Sequence, residues 1–168
     1  MKDLFQYSEL PLADFLSEAA NTKNHLIKCH ICPVSKKLRT LLAAETDIGP
    51  DYSHILDNYS YHHIRARHSG ARESLRGQIP ITDDDFILIP DVLIHFDSLE
   101  ISINKIGNKV IIYSRVFEGF TLFLAEEIRT DRRELAVCTL YKRKRKLTDA
   151  NRPEDDADSG FVPFSDTK

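Results

Sequence analysis

The spacing of the apolar positions changes near residue 98 of the chain. Before that point, apolar residues recur every three to four positions, as they do on one face of a helix. After it they alternate with polar residues, as they do on one face of a strand. Helices and strands are thus predicted in separate stretches, which favours an α+β fold.

The first half of the chain predicts three main helices. Helical spacing runs over residues 11–28, and Ser35 can cap a second helix that carries Leu38 and Leu42 and ends near residues 49–50. A third helix is predicted over about residues 53–68, with Ser60 as a candidate second cap. A basic loop over residues 70–78 follows, then a short helix opened by Thr82 and a further turn started by Pro90.

The second half predicts four strands, over residues 99–103, 110–117, 120–128 and 135–142. Tight turns join them, so they form an antiparallel meander whose apolar face the preceding helices must cover. The predicted fold is therefore α+β, with N-terminal helices packed on a four-stranded antiparallel β-meander.

Composition and charge bound the organisation of the chain. Its 168 residues are 42% hydrophobic, which suits one core, and the net charge is −3. We predict an N-terminal helical extension (1–30), the α+β domain (31–147) and an acidic flexible tail (148–168), which we hypothesise folds back on the basic residues before it. No apolar run is long enough for a bilayer, and the first residues do not resemble a secretory signal. We expect a cytoplasmic protein without a membrane partner.

The three cysteines give little support for a metal site. Cys29 and Cys32 have zinc-like spacing, but zinc needs a second pair of ligands, and Cys138 lies inside a predicted strand. Buried thiols are the favoured interpretation and zinc the minor alternative. No metal and no cofactor are predicted.

Two predicted strands carry polar pairs. Tyr113 and Arg115 share a face of the second strand, and Thr139 and Tyr141 share a face of the fourth. Together they could stabilise charge on a phosphate, although such residues are also common on solvent-facing strands. The face of Thr139 and Tyr141 is otherwise apolar, and no carboxylate is clearly placed as a general base. Alternation does not fix the face of Glu127 on the third strand.

The segment over residues 61–68 is rich in histidine and arginine. His63 and Arg67 lie one helical turn apart, and His68 lies at or past the predicted helix end. His68 can serve as a general acid or base, or it can cap the helix by bonding a carbonyl. The cations at residues 142–146 favour a polyanionic partner or, alternatively, form a solvated strand end.

In combination, these motifs resemble a known superfamily. They are Ser60-Tyr61-His62-His63-Ile64, Arg67-His68, the block from Gly77 to Phe86, Ile89-Pro90-Asp91, Asp97, Tyr113-Ser114-Arg115 and Cys138-Thr139-Leu140-Tyr141-Lys142. Over residues 31–145 they resemble the phage-associated branch of the barnase–EndoU–colicin–RelE-like nucleases.

The resemblance implies a metal-independent endoribonuclease in which a 2′-hydroxyl attacks the adjacent phosphodiester. It implies that His68 acts in acid–base catalysis, that Arg115 stabilises the phosphorane, and that Thr139 and Tyr141 orient the phosphate or share in proton transfer. These four side chains are expected around one pocket. The predicted substrate-binding residues are His63, Arg65, Arg67, Arg76, Tyr113, Lys142 and Arg143; His62 and Arg72 are further candidates for RNA contacts.

The resemblance also implies partners and a setting. RNA is the expected partner, together with an immunity protein, an antitoxin or a phage protein, in the cytoplasm of a bacterium or a phage-infected host. A toxin role is one expectation. The alternatives are an inactive nuclease-like domain that binds RNA or protein, and a structural component of a phage or toxin-delivery system.

Overall fold

The computed structural model describes residues 6–70 and 72–145. In chain order, the elements are β1 (Gln6–Ser8), α1 (Leu12–Asn21), β2 (Ile27–Pro33), α2 (Lys36–Leu42), β3 (Ser53–Asp57), α3 (Asn58–His68), α4 (Arg72–Leu75), β4 (Gln78–Ile79), α5 (Asp83–Ile87), α6 (Ile89–His95), β5 (Ser98–Ile103), β6 (Lys109–Phe117), β7 (Phe120–Arg129) and β8 (Glu134–Lys144). A 3-10 turn over Thr130–Arg132 joins the last two strands.

One mixed sheet organises the described part of the chain. Its order is β1-β2-β3-β8-β7-β6-β5, and the short β4 pairs with the far end of β8. The pairs β1–β2 and β3–β8 are parallel, and the remaining pairs are antiparallel. The α+β class and the meander β5 to β8 are thus confirmed. The expectation that the sheet consists of the meander alone is wrong, because β1, β2 and β3 extend it.

Two of the added strands begin where helix was predicted. The first two residues of β2 fall in the predicted helix over 11–28, and β3 occupies the start of the one over 53–68. The side chain of Asn58 fixes the loop before β2, accepting from the Ile27 N–H at 3.0 Å and donating to the Thr22 carbonyl at 2.8 Å. β3 is a short buried run between two strands, and its periodicity cannot distinguish it from a helix.

The helix starts follow from side-chain caps. Ser35 accepts from the Leu38 N–H at 3.1 Å, which confirms the predicted cap of α2. The Thr82 N–H donates to Asp85 Oδ2 at 2.7 Å, and α5 begins there as predicted. α3 begins at Asn58, where Asp57 accepts from the Ser60 N–H at 2.7 Å, so Ser60 does not start a second helix.

The two faces of the meander differ. Directly paired residues share a face, and the register pairs Arg115 with Leu122 and Leu122 with Lys142. These three side chains therefore lie on one face of the meander, which we call the covered face. α6 packs against this covered face through the contact of Phe96 with the ring of Tyr113. The core between helices and sheet includes Ile111, Leu122, Leu124, Val137 and Leu140 from the strands and Phe86, Ile89, Val92 and Leu93 from the helices.

The opposite side is the open face. It carries Ser98, Glu100, Ile112, Ser114, Phe123, Ala125, Thr139, Tyr141 and Arg143, which the strand register places together. A β-bulge at Cys138 shifts the pairing, so that Val137 lies opposite Glu126 while Thr139 lies opposite Ala125. The bulge explains why Thr139 and Tyr141 lie on a different face from Leu135 and Val137.

The boundaries of the predicted domains stay predictions. β2 pairs with β3 across the predicted boundary at residue 30, and the predicted acidic tail lies outside the described residues. Within the described ranges, no helix is both long and apolar enough to cross a membrane.

Candidate active site

Aromatic rings and a guanidinium lie together at one end of the open face. The rings of Phe123 and Tyr141 are stacked, with centroids 4.8 Å apart and planes inclined by 6°. The guanidinium carbon of Arg143 lies 5.6 Å from the Phe123 centroid and 5.7 Å from that of Tyr141. We call these three residues the aromatic platform. Such a combination suits the bases and phosphates of a single strand of nucleic acid.

His68 lies beside this platform. It is the last residue of α3, and its ring centroid is 5.9 Å from that of Tyr141. The Ile81 N–H donates to the His68 carbonyl at 2.6 Å, which holds this helix end against the segment after β4. His68 Nδ1 lies 3.1 Å from Oε2 of Glu73, so its imidazole pairs with a carboxylate and not with a helix carbonyl.

Glu73 is a site residue that the sequence did not predict. It lies in the one-turn helix α4 with only 1% of its side chain exposed, and its Oε1 has no hydrogen-bond partner among the described residues. A buried carboxylate that bonds one imidazole nitrogen orients the ring and leaves the other nitrogen to act. The only signal was an acidic residue five positions after a histidine, in a segment predicted to be a basic loop.

Two hydroxyls of the predicted site occupy neighbouring positions on β8. Burial raises the pKa of Tyr141, nearby Arg143 opposes the shift and Glu100 adds to it. The phenol is therefore protonated at neutral pH and can donate a hydrogen bond. Thr139 is 7% exposed, and its Oγ1 has no nitrogen or oxygen partner among the described residues.

Arg115 does not join this group. It lies on the covered face, with Nε 3.0 Å from Asp91 Oδ2 and Nη1 donating to the His95 carbonyl at 2.9 Å. The expectation that Arg115, His68, Thr139 and Tyr141 surround one pocket is therefore wrong for Arg115. Its partners come from α6, a tertiary contact that strand alternation cannot reveal.

Tyr113 is also on the covered face. It is fully buried, and its hydroxyl donates to Glu126 Oε2 at 2.7 Å. The same carboxylate lies 2.8 Å from Nδ1 of buried His54. Tyr113 therefore belongs to a polar cluster in the core, and its predicted place on a substrate-binding surface is wrong.

Two predicted substrate-binding cations form internal contacts. Lys142 lies on the covered face and donates to Asp85 Oδ1 at 2.9 Å. Arg65 Nη1 donates to the Ile81 carbonyl at 2.6 Å. Both contacts tie the segment after β4 to the fold, so neither side chain lies on the aromatic platform.

The other predicted contact residues lie nearer the surface. Arg67 and Arg76 are exposed, as is Arg72, and His62 Nε2 lies 3.2 Å from the Thr22 carbonyl. His63 is exposed on α3 and lines a cleft of about 880 Å³ whose lining also includes Cys138 of β8. The structure thus brings together His68, Tyr141 and Arg143, with Thr139 two positions before Tyr141 on the same strand.

The cysteines do not form a common site. Burial raises the pKa of Cys29 and Cys32 to about 11 and that of Cys138 to about 12. The charge of Glu126 contributes to the shift at Cys32. Over residues 6–70 and 72–145, no three His, Cys, Asp or Glu side chains are grouped so that they could hold a metal ion.

Comparison with known proteins identifies the family. The model of the family PBECR3, described as phage-Barnase-EndoU-ColicinE5/D-RelE like nuclease3, matches residues 33–150. No curated protein and no solved structure shows significant similarity to the chain. The matched region contains the meander, α3 and the segment that holds Glu73. The chain belongs to the family of phage-Barnase-EndoU-ColicinE5/D-RelE like nucleases.

Proposed function

We propose that this protein is an endoribonuclease that cleaves single-stranded RNA at the aromatic platform. One observation carries the proposal: an imidazole fixed by a buried carboxylate lies next to stacked aromatic rings and a guanidinium. His68 supplies the imidazole, Glu73 the carboxylate and Arg143 the guanidinium. The family supports a nuclease, and the platform supports a single-stranded substrate.

The imidazole of His68 is the proton-transfer group in this proposal. Glu73 accepts a hydrogen bond from Nδ1–H, which leaves Nε2 with its lone pair as a general base. Nε2 takes the proton of the 2′-hydroxyl, the 2′-oxygen bonds to phosphorus, and the bond from phosphorus to the 5′-oxygen breaks. The departing 5′-oxygen takes a proton from solvent water, and His68 later returns its proton to solvent, so the products are a 2′,3′-cyclic phosphate and a 5′-hydroxyl.

Arg143 and Tyr141 stabilise the charge that develops on the phosphate. A guanidinium pairs well with phosphate oxygens, and the protonated phenol donates a further hydrogen bond. The described cations at the end of β8 also include Lys144 and Arg145, which favour an anionic chain along this edge.

The stacked rings favour an unpaired substrate. Bases in a duplex are stacked on each other, whereas the bases of a single strand can stack on protein side chains. Each such contact contributes about 1–3 kcal/mol. We therefore propose that loops and single-stranded regions of RNA are the substrate.

A second candidate is an RNA-binding module without catalysis. The position of Arg115 favours it, because the guanidinium expected to stabilise the phosphorane is engaged with Asp91 on the covered face. In that case the platform binds RNA, and the His68–Glu73 pair only fixes the end of α3.

Cleavage in the presence of EDTA tests the proposal. Wild-type protein incubated with total RNA should yield fragments that end in cyclic phosphates. His68→Gln should lower the rate about 10²–10⁴-fold because it removes the proton-transfer group. His95→Gln is the matched control, since His95 is exposed at the end of α6, on the covered side. Equal rates for wild type and His68→Gln would remove His68 from the reaction; binding without any cutting would favour the module.

A further inference from the structure

Gln78 is the first residue of β4, and its side chain has no role in the proposed proton transfer. β4 pairs with the end of β8 so that Gln78 lies opposite Arg143. Directly paired residues share a face, so Gln78 lies on the open face, next to the guanidinium of the aromatic platform. Gly77, with a φ of 70°, provides the left-handed turn that leads the chain from α4 into this pairing. The block from Gly77 to Phe86 thus begins with an amide beside the platform.

The side-chain oxygen of Gln78 is buried and lacks a donor. Its Oε1 accepts no hydrogen bond from any group within residues 6–70 and 72–145. The same is true of Oε1 of Glu73, which lies in α4, immediately before β4. A buried acceptor that remains unpaired lowers the stability of a fold, so two of them in adjoining elements require an explanation. A ligand that donates hydrogen bonds at this place provides one.

The chemistry of RNA limits which of its groups can donate to Gln78. In the proposed function Arg143 contacts a phosphate, so the neighbouring Gln78 faces the sugar–phosphate backbone. Phosphate oxygens only accept hydrogen bonds. The ribose 2′-hydroxyl is both a donor and an acceptor, and it is the group by which a protein distinguishes RNA from DNA. A 2′-hydroxyl is therefore the backbone group that suits the oxygen of Gln78.

The hydroxyl that attacks the phosphate cannot be the donor. A hydroxyl has one hydrogen, and His68 Nε2 accepts it in the proposed mechanism. The ring of His68 lies near that of Tyr141, and Tyr141 precedes Arg143 by about 7 Å along β8. Gln78, opposite Arg143, thus lies beyond the place of proton transfer, in the direction in which an extended strand continues to its next nucleotide.

We propose that Gln78 Oε1 accepts a hydrogen bond from the 2′-hydroxyl of a nucleotide adjacent to the one whose hydroxyl attacks. Gln78 is then a specificity-determining residue, because it favours a run of ribonucleotides over a strand whose neighbouring sugars lack a donor. The contact concerns the sugar and does not distinguish between bases. This inference rests on the proposed function, in which the RNA strand crosses the aromatic platform.

Uncleavable strands that differ only at the 2′ position test the inference separately from catalysis. Two short pyrimidine strands have the same sequence. Every sugar carries a 2′-amino group, which can donate, in the first strand, and a 2′-fluoro group, which cannot donate, in the second. Wild-type protein should bind the amino strand about threefold to tenfold more tightly, as expected for one neutral hydrogen bond. Fluorescence anisotropy measures both affinities.

Two substitutions of Gln78 should have different outcomes. Gln78→Met keeps the length of the side chain but removes its oxygen, and should abolish the preference for the amino strand. Gln78→Glu keeps an acceptor, so it should keep the preference, although both strands bind more weakly because a carboxylate repels phosphate. Thr121→Val is the matched control, because Thr121 pairs with Arg143 from the other side, on β7. It should keep the preference.

Equal affinity of wild type for the two strands would overturn the inference, as would a preference that persists in folded Gln78→Met. If Gln78→Met does not fold, Gln78→Glu still decides, since loss of the preference in that variant would also contradict the inference. If the protein cuts unmodified RNA but does not discriminate between the two strands, the role of Gln78 fails and the platform stands. If it discriminates but never cuts RNA, the role of Gln78 stands and the proposed catalysis fails.

Discussion

Two clusters in this protein contain the same three residue types in different surroundings. In one, Glu126 bonds His54 at 2.8 Å and Tyr113 at 2.7 Å on the covered face. In the other, Glu73 bonds His68 at 3.1 Å, and the His68 ring lies near that of Tyr141. His54 is 2% exposed, whereas the side chain of His68 is 16% exposed.

The difference between the clusters is access. The core cluster has its carboxylate shared by two donors and closed off by α6 and the sheet, so it satisfies buried polar groups and fixes the packing. In the surface cluster, the carboxylate is buried but the imidazole lies beside an open face. A histidine, a glutamate and a tyrosine therefore indicate a site for chemistry only where the fold leaves the imidazole within reach of a substrate.

Removing the core carboxylate should have the largest effect. Glu126→Gln turns an amide NH2 towards one of the two groups that donate to the carboxylate, and we expect the free energy of unfolding to fall by about 3 kcal/mol. Urea unfolding measures the change. Glu127→Gln, one position along β7 and on the open side, should change the stability by less than about 0.5 kcal/mol. Similar losses in the two variants would show that the core cluster is no more important to the fold than the open face.

The thiols report how well the core excludes water. Because the pKa of Cys29 and Cys32 is raised from 9.0 to about 11, the reactive thiolate is scarcer in the folded protein at any pH below 9. Alkylation by iodoacetamide near pH 8 should be about 100-fold slower in the folded protein than in urea. Mass spectrometry of timed samples measures the rates. Equally fast alkylation of Cys32 in both states would mean that the region around Glu126 opens to solvent.

The surface carboxylate should affect cleavage more than binding. Glu73→Gln removes the group that orients His68, and we expect kcat to fall about 10–100-fold with little change in KM. Steady-state cleavage of a short fluorescent RNA separates the two constants. Glu118→Gln, in the exposed turn between β6 and β7, provides a carboxylate control that should stay within about threefold. A rise in KM alone for Glu73→Gln would assign Glu73 to substrate binding instead of positioning.

The two tyrosines should separate stability from activity. Tyr113→Phe leaves Glu126 with one donor fewer and should cost about 1 kcal/mol of stability. Tyr141→Phe keeps the stacked ring and should cost less than half of that, while slowing cleavage because it removes a donor to the phosphate. Thermal unfolding and cleavage rates, measured on both variants, test this. If Tyr141→Phe lost more stability and Tyr113→Phe cleaved more slowly, Tyr113 and not Tyr141 would belong to the site of cleavage.

Arg115→Ala should have the smallest effect. The side chain pairs with Asp91 on the covered side, partly exposed, and such ion pairs contribute about 0–1 kcal/mol. Cleavage should stay within about twofold of wild type, whereas Arg143→Ala should weaken RNA binding and lessen its dependence on salt. A loss of cleavage in Arg115→Ala as large as that in His68→Gln would require Arg115 to move to the open face in the complex.

Sequence predicted the meander well because its strands are long, rich in β-branched and aromatic residues, and separated by tight turns. β3 was missed because it is short and buried on both sides, and β2 because Ile27 continued a helical spacing that began in α1. Glu73 was missed because its burial depends on a one-turn helix that no periodicity marks. The position of Arg115 depends on α6, which ends twenty residues earlier in the chain.

The bulge at Cys138 has a consequence for how this surface originates. The extra residue keeps β8 in phase with β7 on both sides of the bulge, because Val137 lies opposite Glu126 and Thr139 lies opposite Ala125. In a regular strand of the same sequence, Tyr141 and Arg143 would point to the same side as Leu135 and Val137, and Leu140 and Lys142 would be exposed in their place. Deletion of Cys138 should therefore remove the bulge and leave Tyr141 and Arg143 on the open face.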